Sequence, residues 1–232
     1  MHLAYSEQLH VGDVQLSREE SLHISKVLRL EPGTPISLTD GKGTRAEGVL
    51  LSSSKKNLKV EVSDLNFYDC PYNLELAISP PKSNEKFELI LEKCTELGIK
   101  TFHPILSFHS ERRNIKLERI QKILISAMKQ SQKSWLPKIS EPIKFSDFIK
   151  NSGTQSKFIA HCNLEIERES IKNALSQKNT LLVIGPEGDF SKEEVHEALE
   201  HGFKSVHLGK ERLRTETAAI FATSIYHTTF SL

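Results

Sequence analysis

The chain has 232 residues, 38% hydrophobic and 26% charged, which is enough apolar material for one large folded unit or two modest ones and excludes a disulfide-held miniprotein. Lysine plus arginine number 31 against 30 acidic residues, a formal net charge of +1, so no whole-chain excess marks a nucleic-acid binder or an acidic tail. Any preference for a charged partner must be local.

The first structural signal is Ser17-Arg18-Glu19-Glu20, a capping box whose hydroxyl caps a helix start while the carboxylate three residues on reaches back. With Leu22, Val27 and Leu28 at near-helical spacing, a short helix is predicted to about Arg29, and Glu31-Pro32-Gly33 breaks it. Three β-like runs follow at 35–39, 46–52 and 58–62, separated by Asp40-Gly41-Lys42-Gly43 and by a polar turn at 53–57. These predict a small β-rich domain over residues 1–70, ending near Cys70-Pro71. From Leu74 the texture changes: short apolar runs at 74–79, 101–106, 157–161, 181–184 and 205–208 each read as a buried strand, most followed by an amphipathic segment. That alternation predicts an α/β domain over 71–232 built on a mostly parallel sheet with crossover helices. A helix from Asn84 to Leu97 stops at Gly98, and another starts at a second capping box, Ser191-Lys192-Glu193-Glu194.

Charge is unevenly placed. Between Arg112 and Lys138 stand eight basic residues (Arg112, Arg113, Lys116, Arg119, Lys122, Lys129, Lys133, Lys138) and one acidic one, Glu118. In a helix here Leu117, Ile120, Leu124 and Ala127 share one face, while Lys122, Lys129 and Lys133 gather on the opposite one. A stripe of this kind is either a solvated helix face or a phosphate-tracking surface, and the near absence of interspersed acids favours the second.

Two loops carry the chemistry. Leu181-Leu182-Val183-Ile184-Gly185-Pro186-Glu187-Gly188-Asp189-Phe190 is a buried strand running into a glycine-containing turn before a capped helix, the place where ligands bind in open α/β sheets. It is also what a tight strand-to-helix turn looks like, and it is neither a GxGxxG fingerprint nor a P-loop. The second loop runs from Leu208-Gly209 to Leu213-Arg214-Thr215-Glu216-Thr217-Ala218-Ala219 and leads into an apolar final helix. Thr215 or Thr217 as N-cap and Glu216 in the first turn explain those types structurally. Arg214 does not fit such an account, because a cation at a helix N-terminus opposes the macrodipole. His161, at a strand end, reads either as a hydrogen-bonded structural histidine or as part of a ligand pocket. Cys70, Cys94 and Cys162 are widely spaced and read as reduced thiols, Cys94 in the core; neither they nor the ten histidines show metal-ligand spacing, and no metal is expected.

GPEGDFSKEEV and LGKERLRTETAA together resemble the signature of the RsmE family of small-subunit ribosomal RNA uridine-N3 methyltransferases, in the SPOUT superfamily. The resemblance extends over nearly the whole chain: HISKVLRL and PGTPISLTDGKG resemble the family's PUA-like N-terminal domain, KFELILEKCTELGIKTFHPILSFHSERR its first catalytic-domain segments, and AMKQSQKSWLPKI its basic helix and following strand. It implies a SPOUT-type knotted, mostly parallel sheet with flanking helices, a PUA-like barrel, and a C-terminal trefoil knot that periodicity alone would not suggest. It further implies an S-adenosylmethionine site falling on Gly185, Pro186, Gly188, Leu208, Gly209, Leu213, Thr217 and Ala218. The partners implied are 16S ribosomal RNA or the small ribosomal subunit and a second copy of the chain. The N-terminal Met1-His2-Leu3-Ala4-Tyr5-Ser6 lacks a basic lead and an apolar run, and no stretch reaches the ~18 apolar residues of a membrane span, so a cytoplasmic protein without a membrane partner is expected. The chain departs from the family pattern where Glu-Gln-Ser-Gly-Arg becomes Lys129-Gln130-Ser131-Gln132-Lys133, where GPEGG becomes GPEGD, and where an N-terminal arginine is missing.

On this reading Arg214 stabilises charge on a uracil carbonyl as N3 loses its proton, and Glu216 is either the proton acceptor or a first-turn carboxylate. Arg29, Arg112, Lys129 and Lys133 would hold RNA phosphates. The same residues fit a SPOUT enzyme acting on a ribose 2′-hydroxyl or a transfer RNA base, and a non-catalytic ribosome-assembly factor; intact GPEG and LRTETA favour an enzyme.

Overall fold

The computed structural model of the protein describes residues 2–51, 57–153 and 156–230. The turn expected at 53–57 therefore lies, apart from Asn57, outside the described residues, as does Ser52. The chain divides into two compact units: one takes the N-terminal residues through Pro71 together with 125–136, the other 72–124 and 137–232.

The first unit holds β1 (Leu3–Tyr5), β2 (Gly12–Gln15), α1 (Arg18–Leu22), β3 (Pro35–Thr39), β4 (Thr44–Leu50) and β5 (Lys59–Phe67), with sheet order β1-β3-β4-β5-β2. Only the β1–β3 pair is parallel. Alternation directs Ile36, Leu38, Ala46, Leu50, Val60 and Val62 inward, where they meet Ala4, Val14, Leu16 and Ile24. Gly48 sits at a bulge in β4, where a Cβ would stand 2.5 Å from the Glu61 carbonyl oxygen, so the strands close up only because there is none.

The helix expected to run from Ser17 to Arg29 is correct in its start but not in its regularity. Ser17 Oγ accepts from Glu20 N–H at 3.2 Å, while the Glu20 carboxylate turns to the ammonium of Lys129 instead of closing the box. After Leu22 the helix widens into a π-helical segment, His23–Leu28, stopped by Arg29 in the left-handed conformation at φ 54°. The widening rotates Val27 off the apolar face, where it is 66% exposed.

The second unit comprises β6 (Leu74–Ile78), α2 (Asn84–Leu97), β7 (Thr101–Leu106), α3 (Leu117–Gln130, whose last residues belong to the first unit), β8 (Lys138–Ile139), β9 (Ile143–Lys144), α4 (Phe145–Asn151), β10 (Ser156–Ala160), β11 (Glu169–Ser170), α5 (Ile171–Ala174), β12 (Thr180–Ile184), α6 (Lys192–Glu200), β13 (Lys204–His207) and α7 (Thr215–Phe230). Its sheet runs β11-β13-β10-β12-β6-β7-β8, with β9 also on β7, and every pair in it is parallel. Central β12 is buried along its whole length, as a strand covered on both faces must be. The Ser191 box is complete, and α2 ends at Gly98 with φ 114°. Cys94 on α2 is fully buried and accepts from Thr223 Oγ1 of α7 at 3.5 Å; burial pushes its thiol up to about 12. Parallel pairing has a further consequence: Ala160, Ile184 and Val206 lie in register on three adjacent strands, so the loops leaving β10, β12 and β13 emerge together at one edge.

Candidate functional site

Those three loops enclose a cavity of about 530 Å³, with walls drawn from residues 160–168, 184–189 and 207–218. Specific bonds join the walls. Buried Thr215 Oγ1 donates to the Gly185 carbonyl at 3.2 Å, tying the β12 loop to the start of α7. Asp189 ties the β12 loop to the β10 loop, since its Oδ2 accepts from Cys162 N–H at 2.7 Å while Oδ1 accepts from Phe190 N–H at 2.9 Å. Arg168 Nη1 donates to the His161 carbonyl at 2.6 Å.

His161 is held at both ring nitrogens. Nδ1 accepts from Asn163 N–H at 3.2 Å, which leaves the ring proton on Nε2 to donate to Ser205 Oγ at 3.0 Å. Burial lowers its pKa from 6.5; the Asp189 charge opposes that shift and Arg168 reinforces it. The two readings of this residue are thus both realised: a hydrogen-bonded strand-end histidine that also lines the cavity. Burial likewise raises the Cys162 thiol.

Of the residues singled out in the sequence, Gly185, Pro186, Leu208, Gly209, Leu213, Arg214 and Ala218 line this cavity. Gly188 and Thr217 do not. Gly188 lies against His109, whose Cβ would be 2.9 Å from an added methyl, and Thr217 is exposed on the first turn of α7. Neither threonine is the N-cap. The Arg214 carbonyl accepts from Ala218 N–H at 2.8 Å, which puts Arg214 itself at the cap, and the Thr215 hydroxyl is directed across to Gly185. Glu216 is buried behind the wall: its Oε1 stands 3.5 Å from Lys86 Nζ of α2, and its Oε2 has no partner among the described residues. Asp189 and Arg168 are among the wall residues that sequence reasoning passed over. Asp189 was visible only as a departure in GPEGD; Arg168 lies in a stretch with no motif.

The four residues expected to hold RNA are divided between the units. Arg29, Lys129 and Lys133 are in the first, and Arg112 is in the second. Arg29 is exposed, but the Lys129 ammonium is taken by buried Glu20, both side chains being largely excluded from solvent. Arg112 spreads over the Phe87 ring at 5.6 Å and donates from Nε to the Asn114 carbonyl at 3.2 Å, and burial lowers its pKa. Among the described residues no three His, Cys, Asp or Glu side chains form a metal-holding group, and no helix is long and apolar enough to cross a membrane.

A parallel sheet with a ligand cavity at its carboxyl edge, joined to a small β unit, has a counterpart among known proteins. Residues 69–227 match the family described as an RNA methyltransferase domain, and residues 16–63 match the RNA methyltransferase PUA domain. Among curated relatives, ribosomal RNA small subunit methyltransferase E of Aquifex aeolicus is 33% identical over 230 residues, covering 97% of this chain and 98% of that one. The protein of the same name from Synechocystis is 33% identical over 224 residues, covering 93% of this chain and 73% of the relative. Among solved structures, a probable rRNA-methyltransferase from Porphyromonas gingivalis superposes with a TM-score of 0.91 at 37% identity, covering 98% of each chain. A ribosomal RNA small subunit methyltransferase E from Neisseria gonorrhoeae, bound to S-adenosyl methionine, gives 0.86 at 30% identity, covering 99% of this chain and 98% of its own. The chain belongs to the ribosomal RNA small subunit methyltransferase E, or RsmE, family.

Proposed function

We propose that this protein transfers a methyl group from S-adenosylmethionine to N3 of a uridine in 16S ribosomal RNA, as a cytoplasmic homodimer whose cavity loops pass through the trefoil knot of SPOUT enzymes. The observation that carries the reading is the joined pair of loops: Thr215 bonded to Gly185, around a cavity at whose edge Arg214 stands.

The cavity fits the donor. Its volume of about 530 Å³ lies in the range that nucleoside-sized ligands fill. Apolar Ile184, Leu208, Leu213 and Ala218 suit an adenosine, while Asp189 and Arg168 offer opposite charges to a zwitterionic amino-acid tail. Gly209 has φ 147° and nothing within 4 Å of where its Cβ would stand, so that wall is backbone with open space before it. S-adenosylmethionine, when bound, supplies a methyl already activated on a sulfonium, leaving the protein to position and to handle charge.

Arg214 is the residue assigned to charge. Loss of the N3 proton places negative charge on the flanking uracil carbonyls, and a guanidinium donating to one of them stabilises that charge. Its place at the N-cap opposes the helix dipole, a local penalty of about 0.3–1 kcal/mol that folding alone does not require. Glu216 is not given the proton-accepting role, since it lies behind the wall against Lys86; its geometry supports the first-turn structural role. Arg29, Arg112 and Lys133 remain the assigned phosphate contacts, and Lys129 is reassigned to holding Glu20.

The test is mass-spectrometric mapping of 16S ribosomal RNA from a strain lacking the protein, paired with calorimetry of S-adenosylmethionine binding. One N3-methyluridine should disappear and return with the restored gene, and the donor should bind the folded protein. An unchanged modification pattern, or no heat of binding, overturns the reading.

A further inference from the structure

The loop that follows β7 carries Phe108 at its tip, the residue being 76% exposed. An aromatic side chain in that position contributes almost nothing to folding, since it leaves its apolar area in water. The backbone beneath it, by contrast, is held on every side. Ser107 N–H donates to Ser110 Oγ at 2.8 Å and Ser110 N–H to the Ser107 carbonyl at 3.0 Å. The buried Ser107 hydroxyl is 2.9 Å from Ser79 Oγ and 2.9 Å from Ser110 Oγ. Phe108 N–H donates to Glu194 Oε1 at 2.7 Å, using the same carboxylate that closes the α6 capping box. His109 Nδ1 donates to the Asp189 carbonyl at 3.0 Å, and its Cβ sits against Gly188.

The result is an aromatic ring on a stiff mount, one residue from a histidine bonded to the cavity-lining Asp189. Among the described residues its one ring contact is edge-to-face with His109, at 4.9 Å between centroids and 81° between planes, an arrangement that leaves at least one face of the phenyl open. Exposed Arg113 and Lys116 stand five and eight residues further along the chain and complement a polyanion. A fixed π-face in a segment that also carries cations is a standard means of holding an unstacked base, because every base offers a π-face and the backbone phosphates satisfy the cations.

We infer that Phe108 is a stacking platform for a nucleobase of the RNA substrate, placed beside the cavity assigned to the methyl donor. The inference rests on the proposed RNA-methylating function and adds to it a binding residue. The experiment measures binding of protein-free 16S ribosomal RNA, and KM and kcat for the competent substrate, in Phe108→Ala, Phe108→Leu and Phe108→Trp, with S-adenosylmethionine affinity and oligomeric state measured in parallel. Phe108→Ala should weaken RNA binding by roughly five- to a hundred-fold, the range for losing one base–aromatic stack, and raise KM with cofactor affinity unchanged. Phe108→Leu should lose as much, whereas Phe108→Trp should bind like the native protein and show fluorescence quenching by RNA beyond that of Trp135. Native affinity in Phe108→Ala, or recovery in Phe108→Leu, overturns the inference while leaving the methyltransferase reading intact. A shift in oligomeric state in Phe108→Ala overturns it in favour of a second copy of the chain as the ring's occupant. A native protein that neither binds nor methylates RNA removes both.

Discussion

Replacing Thr215 with valine keeps the β-branch and nearly the volume while deleting the hydroxyl that joins the two cavity loops. Thr215 is 5% exposed and its hydroxyl donates to a carbonyl that is itself buried, so the variant leaves that acceptor with no water to replace the lost donor. Removing one partner of a buried neutral hydrogen bond costs about 1–3 kcal/mol. For a protein of this size each kcal/mol lowers the melting temperature by about 2–4 °C, giving an expected fall of about 2–12 °C by calorimetric scan. The same loss releases the β12 loop from the start of α7, so that open arrangements compete with the closed cavity. The apparent affinity then falls with the closed fraction, by up to about tenfold for each 1.4 kcal/mol. Titration calorimetry with S-adenosylmethionine on Thr215→Val and Thr215→Ser reads this directly, and the serine variant should stay near native. A valine variant that is folded and binds the cofactor with native affinity would refute the claim that this bond holds the cavity closed.

Arg214→Ala should lower single-turnover methylation by about 10²–10³-fold, the range for removing one donor to developing charge, with cofactor affinity near native; an unchanged rate constant rejects the charge-stabilising role. Lys129→Ala should unfold the first unit more easily by about 3–5 kcal/mol, because it strands a buried carboxylate, and Glu20→Gln combined with Lys129→Met should recover much of that in a urea titration. His161 gives a pH signature. Its folded pKa lies below the ordinary 6.5, so the unfolded chain binds a proton first and stability is full above pH 6.5 and declines as the pH falls below it. His161→Gln should flatten that decline in melting temperature.

Where one physical signal acted alone, the sequence was readable. The strands at 101–106 and 35–39 and the helix from Asn84 to Leu97 have the predicted bounds, because an apolar run or a cap followed by a left-handed glycine determines each locally. β1 and β2, three and four residues long, escaped notice, since their apolar residues become a pattern only when β3 and β5 lie alongside. The capping box at Ser17 was half right for a similar reason: Glu20 found a better partner in Lys129, 109 residues away in sequence. In the site, glycines and prolines announced the loops, and the arrival of Leu208, Leu213 and Arg214 at one cavity followed from strand order. Local reasoning failed for Thr215, whose helix-start chemistry predicted capping and whose hydroxyl instead found Gly185 across the fold. Glu216 stands in the first turn as expected, but its ion pair with Lys86 of α2 was not visible from the local sequence.

Position 189 carries two demands that seldom coincide. Its backbone sits at φ 63°, a conformation comfortable for glycine, asparagine and aspartate and strained for other residues, while its side chain must offer acceptors to two amides at once. Mutational tolerance there should accordingly be narrow although the residue lies in a surface turn. Glycine would relax the chain but leave the Cys162 amide unmet, asparagine could serve one amide but not both, and a saturation library selected for donor binding should return aspartate and the glycine of the GPEGG pattern far above β-branched and bulky residues.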